Sequence, residues 1–194
     1  QKALSDFAIR DNIGAVSFST RPRPIEGSYM PVFTAGAGYG KAIAAAMGVP
    51  YYEFSHQEGH IEAIRFYSSL KHVNPLICFH FSGGTTEALL VDDEKGIFEI
   101  VGGSKDIAYG QVLDRVGVSL GLDFPCGEAL DQMAVRAIGH RDILTPIKTK
   151  EGYVNLSGIE TQCGKALEQH PQMDLIEDLF EKLSRSILEM TMQL

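Results

Sequence analysis

LICFHFSGGTTEALLVDDEKGIFEIVG, residues 76–102, decides the fold class. Apolar, β-branched and aromatic residues fill LICFHFS, EALLV and IFEIVG, and two turn signals separate them: Gly83-Gly84-Thr85-Thr86 and Asp92-Asp93-Glu94-Lys95-Gly96. Short runs joined by tight turns predict three consecutive antiparallel strands. Ile107 to Leu120 then reads as a helix. Three strands followed by a helix open a new structural part at about Pro75.

Upstream the pattern alternates. Ala15 to Thr20 (AVSFST) predicts a short strand running into the rigid, locally basic loop Arg21-Pro22-Arg23-Pro24. AGAGYGKAIAAAM, residues 35–47, predicts a helix whose small side chains permit close packing or a backbone approach to a ligand, stopped by Gly48-Val49-Pro50. Tyr51 to Ser55 predicts a second strand. Ser55 and Glu58 form a Ser-x-x-Glu capping box for a helix from His56 to about His72. Residues 2–9 read as the end of another helix. From Met173 to Leu194, apolar residues at 175, 176, 179, 180, 183, 187, 188 and 190 trace one helical stripe, facing either the core or a partner. The expectation is an α/β chain in two parts, 1–73 and 74–194.

The 194 residues are 44% hydrophobic, enough for one ordinary domain or two small lobes. No stretch approaches the roughly 18 to 20 apolar residues of a membrane helix, and the amino end lacks a basic segment followed by an apolar one. Three widely separated cysteines form no Cys-x-x-Cys pair and no even disulfide framework. Both observations point to a cytoplasmic protein with no membrane contact. The net charge of −8 gives no independent support for nucleic-acid binding, which needs a clustered basic surface to neutralise phosphates. A start at Gln1 and an end within a helical pattern suggest a piece of a longer protein.

Ser55-His56-Gln57-Glu58-Gly59-His60 is the sharpest chemical signal. Residues four apart lie about 40° apart around a helix, so both imidazoles can address one divalent ion. The bland alternative is a pair of surface or capping histidines. A His-Glu-x-x-His protease motif would place its glutamate directly after the first histidine, whereas Glu58 lies two after His56, about 200° around the helix. A catalytic ion needs a further protein ligand, and His80, just before the glycine turn, is a candidate third ligand or a partly buried histidine.

Phe81, Ser82, Gly83, Gly84 and Thr85 form a turn whose amides and hydroxyls suit a phosphate, or one whose glycines serve hairpin geometry alone. Asp114 and the loop Asp123-Phe124-Pro125-Cys126-Gly127 add a carboxylate and a flexible backbone, with a solvated helix face and an ordinary loop as the alternatives. Asp131 reads as a further carboxylate or as a helix start, and Cys126 as an inert thiol.

In this order, SHQEGHI, FSGGTTEALLV, GQVLDRVGVSLGLDFPCGEALDQMA and NLSGIETQCGKAL resemble the successive blocks of the tRNA threonylcarbamoyladenosine transferase family, once classed as O-sialoglycoprotein endopeptidases or glycoproteases. The resemblance covers nearly the whole chain. RPRPIEGSYMPVF departs from the family's compact Gly-rich turn. Gly110-Gln111-Val112-Leu113-Asp114 stands where Gly-Glu-Ala-Phe-Asp is usual, and Pro125-Cys126-Gly127-Glu128 where Pro-Gly-Gly-Pro is usual.

The resemblance implies the actin-like, Hsp70-like (ribonuclease H-like) ATPase fold, with 1–73 closing the first lobe and 74–194 opening an incomplete second. It implies transfer of a threonylcarbamoyl group from an adenylate to N6 of adenosine 37 in tRNA. It implies His56 and His60 as ligands of iron or zinc. Phe81 to Thr85, Asp114, Gly127 and Asp131 would bind ATP or threonylcarbamoyl-adenylate. A tyrosine ligand of some relatives falls near His80. The family's first strand and phosphate turn would precede Gln1, and its adenine loop and metal-binding aspartate would follow Leu194.

Two other readings compete with the transferase. One is a non-catalytic nucleotide-binding paralogue acting through a protein partner or homo-oligomer, which the altered motifs, the acidic charge and the helical stripe favour. The metalloprotease stands third.

Overall fold

A computed structural model describes residues 13–95, 97–137 and 142–194. The helix expected at residues 2–9 lies outside them. Two compact units divide the chain. One comprises the described residues up to Asn74 together with Asp93–Glu99, and the other comprises Pro75–Asp92 and Ile100–Leu194.

In the first unit, β1 (Val16–Arg21) and β2 (Tyr51–Ser55) pair in parallel, Val16 opposite Tyr51. A parallel pair needs a crossover, and α1 (Pro31–Met47) supplies it. Pro31 starts α1 at a position where its missing N–H costs nothing. Gly48, at φ 65°, ends it by donating to the carbonyls of Ala44 and Ala45. Gly40 faces the Phe18 ring of β1 so closely that any Cβ there would overlap it, which explains part of the small-residue run.

α2 (His56–Phe66) follows β2 without a linker. It ends at Phe66, six residues short of the expected His72. Tyr67 and Ser68 already turn back onto the carbonyls of Ala63 and Arg65. Beyond them the buried Arg65 guanidinium binds the Val73 carbonyl at 3.3 Å and Asp93 Oδ2 at 2.6 Å. Asp93 N–H in turn donates to Asn74 Oδ1 at 2.8 Å. These polar ties draw residues 67–74 into a return loop and tie the turn at Asp93 to the first unit.

The second unit carries a five-stranded sheet in the order β3-β4-β5-β7-β6: β3 (Leu76–Phe81), β4 (Thr86–Asp92), β5 (Ile97–Ser104), β6 (Thr149–Lys150) and β7 (Tyr153–Val154). β3 and β4 are antiparallel with Phe81 opposite Thr86. β5 extends past the expected IFEIVG to pair in parallel with β7. β6 and β7, two residues each, are too short to show alternation in a sequence.

Against the sheet pack α3 (Tyr109–Ser119), α4 (Gly127–Val135), α5 (Ser157–Ala166) and α6 (Gln172–Gln193). The core joins Val112 and Val116 of α3, Leu130 of α4, Ile159 of α5 and Leu175, Ile176 and Leu179 of α6, all at 3% exposure or less. Leu183 and Met190 continue that buried face, with Phe180 and Ile187 packed against it. The α6 stripe is therefore core, and Leu188 alone of its predicted positions stands out, at 59% exposure. At about 1.5–3 kcal/mol for each fully buried side chain, this face is a principal stabiliser of the second unit.

Candidate metal and nucleotide sites

Ser55 is fully buried and caps α2: Glu58 N–H donates to Ser55 Oγ at 3.1 Å, and Ser55 N–H donates to the Glu58 carboxylate. This box sets His56 as the first helical residue and His60 one turn later. The Pro22 carbonyl accepts from Gln57 N–H at 3.1 Å, so the proline loop lies beside the same helix end. Both imidazoles are exposed, with ring centroids 4.3 Å apart and Nε2 atoms 3.0 Å apart. The Phe33 ring of α1 flanks His56 at 5.3 Å. Two imidazoles each about 2.0–2.1 Å from one ion have their ligating nitrogens roughly 3 Å apart, so the pair fits as two ligands of a divalent metal. Among the described residues no group of three or more His, Cys, Asp or Glu side chains is placed to hold an ion. The capping box engages the Glu58 carboxylate, which removes the base a metalloprotease would need there.

His80 is half-buried on β3 of the second unit, opposite Glu87 of β4. Phe81 is partly buried. Its ring packs 5.3 Å from those of both Phe79 and Tyr109, on the core side of the hairpin. Ser82 closes the turn: its N–H donates to the Thr85 carbonyl at 2.8 Å, and its Oγ accepts from Gly84 N–H at 3.3 Å and Thr85 N–H at 3.0 Å. Gly83 and Gly84 form the exposed tip. Neither has a positive φ, and a Cβ on either would meet nothing within 4 Å. Hairpin geometry and packing therefore do not require glycine at these two positions.

Asp114, half-buried on α3, accepts from Cys126 N–H through Oδ1 at 2.9 Å. That bond holds the loop that leads into α4. The helix begins at Gly127, so Asp131 is an exposed residue one turn into α4 and does not start it. α3 and α4 meet where Gly117 abuts the Cys126 side chain. Burial first, then the Asp114 and Asp123 carboxylates, raises the Cys126 thiol pKa and keeps it inert. Asp114, Gly127 and Asp131 thus gather around one helix start.

Sequence reasoning missed three supporting residues. Gln111 Oε1 accepts from Ala108 N–H at 2.9 Å, so the amide caps α3 where the family pattern has glutamate. Thr86 Oγ1 accepts from Tyr109 N–H at 3.0 Å. Asp106 binds Ile107 N–H at 2.7 Å, Leu156 N–H at 2.8 Å and Ser157 N–H at 2.9 Å. An aspartate placed just before a helical pattern was the only local signal, and its two partners near residue 156 are distant in sequence.

The sequence model of the family described as tRNA N6-adenosine threonylcarbamoyltransferase matches residues 1–194. The protein of that name from Latilactobacillus sakei subsp. sakei (strain 23K) is 35% identical over 135 residues, 69% of this chain and 37% of its own length. The one from Caldicellulosiruptor saccharolyticus is 29% identical over 96% of this chain and 56% of its own length. The one from Streptococcus agalactiae serotype V is 32% identical over 79% of this chain and 46% of its own length. The chain thus spans about half the length of the curated relatives it matches. No described helix is long and apolar enough to cross a membrane. With the match running through both units and every motif above, the chain belongs to the tRNA N6-adenosine threonylcarbamoyltransferase family.

Proposed function

We propose that the chain is part of a metal- and nucleotide-binding transferase that makes threonylcarbamoyladenosine in tRNA. The observation that carries this reading is the 3.0 Å approach of His56 Nε2 and His60 Nε2 on a capped helix. Iron or zinc would be held by these two nitrogens, with further ligands outside the described residues. When bound, the ion supplies Lewis-acid polarisation of a substrate oxygen. The exposed Gly83–Gly84 tip admits the phosphate of ATP or threonylcarbamoyl-adenylate. Asp114, its Oδ1 engaged by Cys126, offers Oδ2 to a ribose hydroxyl, and Gly127 and Asp131 flank that position. Catalysis on this reading is mainly positioning.

On this reading each unit corresponds to part of one of the two lobes of an actin-like ATPase. The charge of −8 disfavours direct contact with tRNA phosphates, so on this reading tRNA binding in the cytoplasm goes through partner proteins. The non-catalytic reading loses one support, because the α6 stripe is buried within the second unit.

Metal analysis tests the first step: the full chain is expected to carry about one divalent ion, and His60→Ala to lose it with unchanged circular dichroism. Unchanged metal content in His60→Ala would make the pair structural only. For the nucleotide, Gly84→Val is expected to keep the melting temperature and to weaken ATP binding by about tenfold in calorimetry, about 1.4 kcal/mol. Equal affinity would remove the glycine tip from the site.

A further inference from the structure

The tip of the Gly83–Gly84 turn is open, but its stem is gripped from three directions inside the second unit. Gly110, the second residue of α3, approaches the turn from below, and a Cβ there would lie 2.6 Å from Ser82 O and 2.7 Å from Gly83 Cα. Thr86, the first residue of β4, accepts the Tyr109 N–H through Oγ1 at 3.0 Å, in a buried position. Gly103 of β5, at φ 143°, lies against the Thr86 carbonyl so tightly that a side chain would overlap it. Ser82 then binds Gly84 and Thr85 N–H from within. The Gly110 and Thr86 contacts thereby link the glycine turn to the amino end of α3, which bears Asp114 one turn on from Gly110.

We infer that Gly110 and Thr86 are positioning residues for nucleotide binding: they set the height and angle of the Gly83–Gly84 turn relative to Asp114. The inference rests on the nucleotide reading given above. Neither residue touches the ligand. A rigid turn presents its amides without ordering cost on binding, whereas a displaced or mobile one loses both distance and direction. The Oγ1 acceptor also fixes the first turn of α3, where Tyr109 N–H has no helical partner of its own.

The test is ATP titration by calorimetry on the full chain and three variants, each checked by circular dichroism. Gly110→Ala and Thr86→Val are expected to weaken ATP binding at least about tenfold. Thr86→Ser, which keeps the acceptor oxygen, is expected to bind within about twofold of the unaltered chain, which a general loss of packing would not produce. If Gly110→Ala fails to fold, the Thr86 pair carries the test alone. ATP affinity within twofold for Thr86→Val, or equal losses in Thr86→Val and Thr86→Ser, would overturn the inference. Absence of ATP binding by the unaltered chain would instead overturn the nucleotide reading beneath it.

Discussion

Asp178→Ala is expected to lower the unfolding free energy by about 3–4 kcal/mol and the melting temperature by about 10 °C. Asp178 is fully buried on α6. Its Oδ2 accepts from Ile143 N–H at 2.9 Å and Leu144 N–H at 2.7 Å, and its Oδ1 lies 3.1 Å from Lys182 Nζ. Lys182 is itself 5% exposed. Burial pulls the ammonium pKa down, but the adjacent carboxylates of Asp142, Glu181 and Asp178 outweigh it and leave the group raised and charged. Truncation strands two amide donors and removes one of three carboxylates from a buried cation, and each loss is costly in a dry interior. Asp178→Asn is expected to fall between, since one carbonyl can still take the amides while its NH2 faces the ammonium. Denaturant unfolding of the three proteins measures this. A value for Asp178→Ala within 1 kcal/mol of the unaltered chain would refute the cluster as a stabiliser.

Asp106→Ala has the next largest expected effect, about 2 kcal/mol after allowance for the side chain's exposure to solvent. Desolvation pushes the carboxyl pKa up, but the amides of Leu156, Ser157 and Ile107 hold it well below the usual carboxylate range. The sign follows from that depression. The ionised form is favoured by folding, so its contribution is fully present above the unfolded pKa of about 3.9. It is lost as the pH falls through the depressed folded value. The stability gap between the unaltered chain and Asp106→Ala should thus be constant from about pH 5 to 8 and narrow progressively below about pH 4. Equal stabilities across pH 5–8 would show that water replaces the carboxylate at no loss. Since Asp106 joins the β5–α3 loop to the start of α5, the variant should also expose the backbone near Ser157 to faster hydrogen exchange.

Much of the fold was legible because its signals are local. The hairpin at 76–91, the Ser55–Glu58 box and the stop at Gly48 each depend on residues a few positions apart. The His56–His60 geometry followed from the same helical spacing. Phe81 is different: the turn it precedes is exposed, but alternation along β3 sends its ring to the core side. Asp131 read as either a further carboxylate or a helix start, and the helix begins four residues earlier, at Gly127, just after Cys126, whose N–H donates to Asp114.

The sequence by itself determined the α/β character, the capped histidine helix, the glycine hairpin and the family, since each rests on short-range periodicity or ordered motifs. The tertiary structure alone decided that α6 faces inward, that β5 pairs with a strand some 50 residues away, that Arg65 cuts α2 short, and that Asp106 and Thr86 hold other elements' amides. The physical reason is common to these cases. A buried polar group or an apolar face takes whatever complementary surface the folded chain brings to it, and that partner leaves no trace in the neighbouring residues.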